Sequence, residues 1–205
     1  MPSNQTGTWV GYLAGKYTGQ LAHLFSPEGW CNPLPFMPYA LDNGRFSASD
    51  DKPWDEAGYL KMLDKAAASE QAPMWAVVPD VVGNRDDTLR EWDRWAPRLE
   101  VYGWPLAMAV QDGMTSEDVP TEAEVVFVGG TTDWKRRTLW DWATEHPRVH
   151  VGRINTRKWL WECHDAGVES IDGTGWWHHP QRAALIDYLE RVSAGKTRPD
   201  KGLFR

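Results

Sequence analysis

Short apolar runs alternate with helical patterns along this chain, the arrangement expected of βα units around a parallel sheet. Residues 74–78 (MWAVV), 105–110 (PLAMAV) and 124–128 (EVVFV) are almost wholly apolar. Such runs suit strands covered on both faces. Shorter strands are predicted at 39–41, 148–151 and 168–171. The run 8–14 (TWVGYLA), stopped by Gly15, is taken as the first strand. Helices are predicted at about 54–69, 87–99, 133–144, 156–166 and 181–192, with Thr88, Trp92 and Trp95 spaced for one face of the second. Seven strands are read in this way, and the eighth is not visible. The expectation is a single domain over 1–205: an α/β fold, a compact and trimmed TIM-like (β/α)8 barrel with parallel strands. Its tail, about 193–205, should be flexible. At 205 residues the chain is near the lower limit for such a barrel.

Each predicted strand ends on a polar residue or a glycine: Gly15, Asp42, Asp80, Gln111, Gly129, Arg153 and Asp172. In a parallel barrel these positions face one mouth, where catalytic groups gather. Asp172 is the centre of the set. It ends a short strand and leads into Gly173-Thr174-Gly175, where glycines allow a tight turn and close approach of a ligand. Three Asp, a Gln and paired glycines around one pocket suit a polar, uncharged ring better than a phosphate. No GxGxxG or P-loop lysine motif is present, which removes the usual nucleotide-cofactor readings. The absence of a GxSxG elbow argues against acyl transfer. Two carboxylates in one pocket can perform glycosyl chemistry.

Composition narrows this picture only slightly. A net charge of −7 argues against broad, nonspecific nucleic-acid binding. Cys31 and Cys163 lie far apart, so neither a zinc cage nor a disulfide framework is indicated. No metal and no cofactor are expected. No signal-peptide pattern and no apolar run of roughly 20 residues is present, so a soluble, cytoplasmic protein is expected. Most of the fourteen tryptophans are read as helix-to-sheet packing. Trp176 and Trp177 either stack on a flipped base or pack. Lys135, Arg136 and Arg137 either contact phosphates or form a charged helix start at the surface. His178-His179 is read as a solvated loop.

The ordered set 41–46 (LDNGRF), 78–80 (VPD), 110–113 (VQDG), 128–130 (VGG) and 170–173 (SIDG) resembles the tRNA-guanine transglycosylase superfamily. It is most similar to the short DNA 7-deazaguanine transglycosylases of phages and bacterial modification clusters. The resemblance implies base exchange in DNA, guanine being replaced by a preQ0-type 7-deazaguanine through a covalent Asp172–deoxyribosyl intermediate. It implies proton transfer by Asp42, recognition of the purine edge by Asp80, and contacts to O6 from Gln111 and the amides of Gly129 and Gly130. Arg153 is placed at the pocket mouth on the residues alone. The implied partners are DNA ahead of tRNA and the free 7-deazaguanine base, with a homodimer or helper protein completing the surface and no membrane. Three departures are present: no cysteine-rich zinc site, Gly-Thr-Gly after Asp172, and DNGRF in the first motif. A tRNA-acting enzyme, a small nucleoside glycosyl-transfer enzyme and a non-catalytic purine-binding protein remain as alternatives.

Overall fold

The computed structural model describes residues 1–5, 7–49, 51–178 and 181–199. In chain order its elements are α1 (Thr8–Lys16), β1 (His23–Phe25), β2 (Tyr39–Leu41), α2 (Glu56–Ala67), β3 (Ala76–Val77), α3 (Arg85–Leu99), β4 (Leu106–Val110), β5 (Val125–Val128), α4 (Thr132–Glu145), β6 (Val149–Val151), α5 (Arg157–Asp165), β7 (Ser170–Ile171) and α6 (Gln181–Ser193). The seven strands form one parallel sheet in sequence order, β1 to β7. Helices pack between and outside them, giving the compact α/β barrel architecture expected. Loops carrying only 3-10 turns replace the helix between β1 and β2 and between β4 and β5.

Helix starts follow local chemistry. The Asp55 side chain accepts from the Gly58 amide (2.8 Å) to cap α2. Asn84 accepts from the Asp87 amide (3.0 Å) to cap α3, whose first turn carries Asp86 and Asp87 at the positive end of the helix dipole.

Strand alternation sorts the core into two layers. Val78, Met108, Val110, Val126, Val128, Val149 and Val151 face the helices. Leu24, Ala40, Trp75, Val77, Ala107, Ala109 and Val125, with Phe127, face inward. Small residues on β2 and β4 leave room inside the barrel for the large rings of Trp75 and Phe127, the usual alternation of volumes in a small barrel.

One strand differs from expectation. Residues 8–16 form α1, not a strand, because Val10, Leu13 and Ala14 fall on one helical face and are the residues buried there. Gly15 is therefore not at the mouth. The true first strand, His23–Phe25, is three residues long and fully buried. No eighth strand occurs among the described residues. Its place between β1 and β7 is taken by the first few residues. The Asn4 amide donates to the Leu24 carbonyl and the Leu24 amide to the Pro2 carbonyl, each at 3.0 Å. Ser3 bridges Leu24 in parallel, and the Met1 nitrogen donates to the Ile171 carbonyl of β7.

Trp92, Trp95, Trp142, Trp176 and Trp177 are buried, as packing requires, whereas Trp140 is exposed. Base stacking by Trp176 is ruled out by its position: it lies in the core and its Nε1 donates to the Ile154 carbonyl (2.6 Å). Among the described residues no helix is long and apolar enough to cross a membrane. His179 and residues 200–205, part of the expected tail, lie outside the described residues.

Candidate active site

A cavity of about 360 Å³ opens at the C-terminal ends of the strands, with Asp42, Asp80, Gln111, Gly129, Arg153 and Asp172 in its wall. The sequence expectation thus gathers at one mouth, Gly15 excepted. Gly130 adjoins this wall without lining it.

Asp172 follows β7 and is 7% exposed. One carboxylate oxygen faces the His150 Nε2 (3.2 Å) and the Arg153 amide (3.0 Å), and the other accepts from Ser3 Oγ (3.1 Å). Burial pushes its pKa up. The His150 contact, the Met1 ammonium and the Arg153 amide outweigh that, so the group lies below the ordinary carboxylate range. The turn beyond it is tight. A Cβ on Gly173 would stand 2.3 Å from the Ile154 carbonyl oxygen and 2.6 Å from Asn155 Oδ1. Gly173→Ala is expected to force that backbone apart and lower stability by about 1–3 kcal/mol, read by urea denaturation. An unchanged midpoint would refute the close-approach reading.

Asp42 follows β2 and keeps part of its surface open to the cavity. Its side-chain hydrogen bond is a long one, 3.4 Å from the Gly44 amide. Gly44 sits at φ 77°, a left-handed turn natural to glycine. Burial, then the charges of Asp172 and Asp80, push the Asp42 carboxyl up to about 7. Around neutral pH, Asp42 is therefore a proton donor and Asp172 an acceptor.

Asp80 is held by two amides: Asn43 Nδ2 donates to one oxygen (2.8 Å) and Gln111 Nε2 to the other (2.7 Å). Burial raises its pKa, against those donors and the nearby Arg45 charge. Gln111 Oε1 accepts from the Gly83 amide (3.0 Å), so both ends of Gln111 are engaged within the protein. It positions Asp80. The Gly129 amide donates to the Val110 carbonyl (3.0 Å) as part of the sheet, so it is not available to a ligand oxygen. Arg153, at φ 62°, donates to the carbonyls of Gly129 (3.0 Å) and Gly130 and lies over the Phe46 ring (4.4 Å).

Three participants were not singled out from sequence: Asn43, Ser3 and His150. Asn43 lay inside a recognised motif, next to Asp42. Ser3 gave no signal. Lys135 fits neither reading offered for it: it is 2% exposed, with Nζ donating to the Gly152 carbonyl (2.5 Å). Burial, then the Arg153 charge, push it down from 10.5 to about 8. A lysine whose folded pKa is lowered binds its proton less well in the folded state, so it destabilises the fold below pH 8. That penalty is relieved as pH rises from about 8 to 10.5. The shift corresponds to roughly 3 kcal/mol, partly offset by the Gly152 contact. Lys135→Met is expected to raise stability at pH 7 and to remove this rise when the variant and parent are melted across pH 7–10. Parallel pH curves would refute it.

No family model matches this sequence, and no curated protein matches it either. Solved structures do share its shape. The native KDPGal structure superposes with a TM-score of 0.52, over 94% of this chain and 93% of its own, at 11% identity. A Burkholderia cenocepacia J2315 chain, described provisionally as a lyase/mutase, gives 0.49 over 94% of this chain and 81% of its own, at 12% identity. The first of these likenesses establishes the barrel fold. The expected membership of the guanine transglycosylases is corrected by these findings: no such family matches, and the structure that shares the fold carries another name. Base exchange in DNA or tRNA falls with it, as do the nucleoside-transfer and purine-binding alternatives. The physical reason is that Asp, Gln and Gly at strand ends are what any parallel barrel presents at its mouth.

Proposed function

We propose that this chain is an acid–base enzyme of lyase type, cleaving a carbon–oxygen or carbon–carbon bond in a small uncharged substrate. One observation carries the reading: two carboxylates in the same cavity are driven apart in pKa, Asp42 up to about 7 and Asp172 below its ordinary range. Such a split assigns an acid and a base. Asp172 takes a proton from the substrate, and Asp42 gives one to the departing oxygen or carbonyl. The lone pairs of Asp80 left free by Asn43 and Gln111 accept from a substrate hydroxyl or amine. The cavity wall holds three carboxyl groups and one basic side chain, Arg153, whose guanidinium already serves two carbonyls. An uncharged, donor-rich substrate suits that wall better than an anion. The α/β barrel shared with the native KDPGal structure is a scaffold that supports such chemistry.

The test is a panel of uncharged polyols and hydroxycarbonyl compounds, assayed for dehydration and aldol-type cleavage across pH 4–9. Turnover should fall above about pH 7, as Asp42 loses its proton, and fall on the acid side as Asp172 gains one. Turnover undiminished above pH 8, or unchanged in Asp42→Asn, would overturn the assignment.

A further inference from the structure

We infer that His150 is a positioning residue that sets the charge of Asp172 from inside the barrel, as a neutral imidazole donating from Nε2 and accepting at Nδ1. The inference rests on the reading of Asp172 as the base. His150 lies on β6 between Val149 and Val151, which face the helices, so its own side chain turns inward. It is fully buried. Its ring lies 4.6 Å from the Phe127 ring and 5.0 Å from the Trp75 ring, centroid to centroid. Nδ1 meets Ser170 Oγ at 2.8 Å, and Nε2 meets Asp172 Oδ1 at 3.2 Å.

The donor assignment follows from the partners. An ionised carboxylate only accepts, so Nε2 must carry the proton that faces it. Two aromatic walls disfavour an imidazolium, and burial lowers the His150 pKa despite the Asp172 charge. A neutral ring has one N–H, so Nδ1 is bare and accepts from the Ser170 hydroxyl. Every polar position of the ring is then used. Other titratable groups face this pair: Glu169 and the Met1 amine, whose pKa burial lowers to about 6, towards His150, and Asp42, Lys135 and the same amine towards Asp172. His150 is distinguished from them by direct contact and by a ring that cannot swing away.

The experiment needs no substrate. Long-range proton–nitrogen spectra of histidine-labelled protein should show His150 as the neutral Nε2–H tautomer at pH 7, with its protonation displaced below the ordinary histidine range. Carboxyl-carbon titration should place the Asp172 pKa about one unit higher in His150→Phe, with most of that rise reversed in His150→Gln, whose amide donates again. Ser170→Ala should shift the Nδ1 resonance while leaving Nε2 protonated. An Nδ1–H tautomer, a midpoint near 6.5 for His150, or an unmoved Asp172 in His150→Phe would overturn the proposal. If His150→Phe does not fold, the wild-type tautomer and Ser170→Ala decide it alone. Failure of the substrate panel with the tautomer confirmed would count against the lyase reading only.

Discussion

Asp172→Asn is expected to reduce kcat on any substrate found in the panel by on the order of 10³, or about 4 kcal/mol of barrel-supplied barrier lowering. The substitution is nearly isosteric. Asn Oδ1 still accepts from the Arg153 amide, and Ser3 Oγ accepts or donates as its partner changes, so the turn held by Ile154 and Asn155 should persist. What is lost is the capacity to take a proton. KM should stay within a few-fold of the parent, because Asp80, Asn43 and Gln111 are untouched. Steady-state kinetics at pH 6 distinguishes the outcomes. An equal loss in kcat and in substrate affinity would make Asp172 a binding group and not a base. Asp42→Asn should cost less, about 10², and should abolish the fall in rate above pH 7.

The second large effect lies below the site. Trp75→Ala should lower stability by about 3–5 kcal/mol, the range for removing a fully buried aromatic side chain. For a chain of this size that is a fall in Tm on the order of 10 °C, measured by circular dichroism on heating. Trp75 fills the barrel beside Phe127 and His150, where the small residues Ala40, Ala107 and Ala109 offer no substitute volume. The loss should therefore sit at the upper end of that range. A loss under 1 kcal/mol would mean that the interior collapses around the gap.

These expectations show where the sequence was informative. The long apolar runs at β4 and β5 and the strand at Tyr39–Leu41 were legible because their burial leaves an uninterrupted apolar signature. Residues 8–16 were not, since a short apolar run fits strand and helix alike until Val10, Leu13 and Ala14 are placed on one face. The strand His23–Phe25 is too short to show a period. At the site, the Asp residues were visible because they end strands. His150 was not, because one polar residue between two valines looks the same whether it faces a cavity, a partner or a barrel interior. The resemblance to guanine transglycosylases drew on the same strand-end residues, and so carried fold information that was mistaken for family information.

The seam between β1 and β7 has a consequence for the order in which the molecule is assembled. Because the sheet runs β1 to β7 in sequence, each strand can dock on the one already made, and most of the barrel needs only near neighbours. The reacting end is different. Ser3 and Asp172 are separated by 169 positions, and their contact closes the seam where the first few residues stand in for a strand. The carboxylate therefore acquires its full set of donors only once the last strand has met the first residues. A chain arrested after β6 holds a sheet with Asp42 and Asp80 in place but without Asp172, so on the reading proposed above the base is the last group to be installed, once the whole ring has formed.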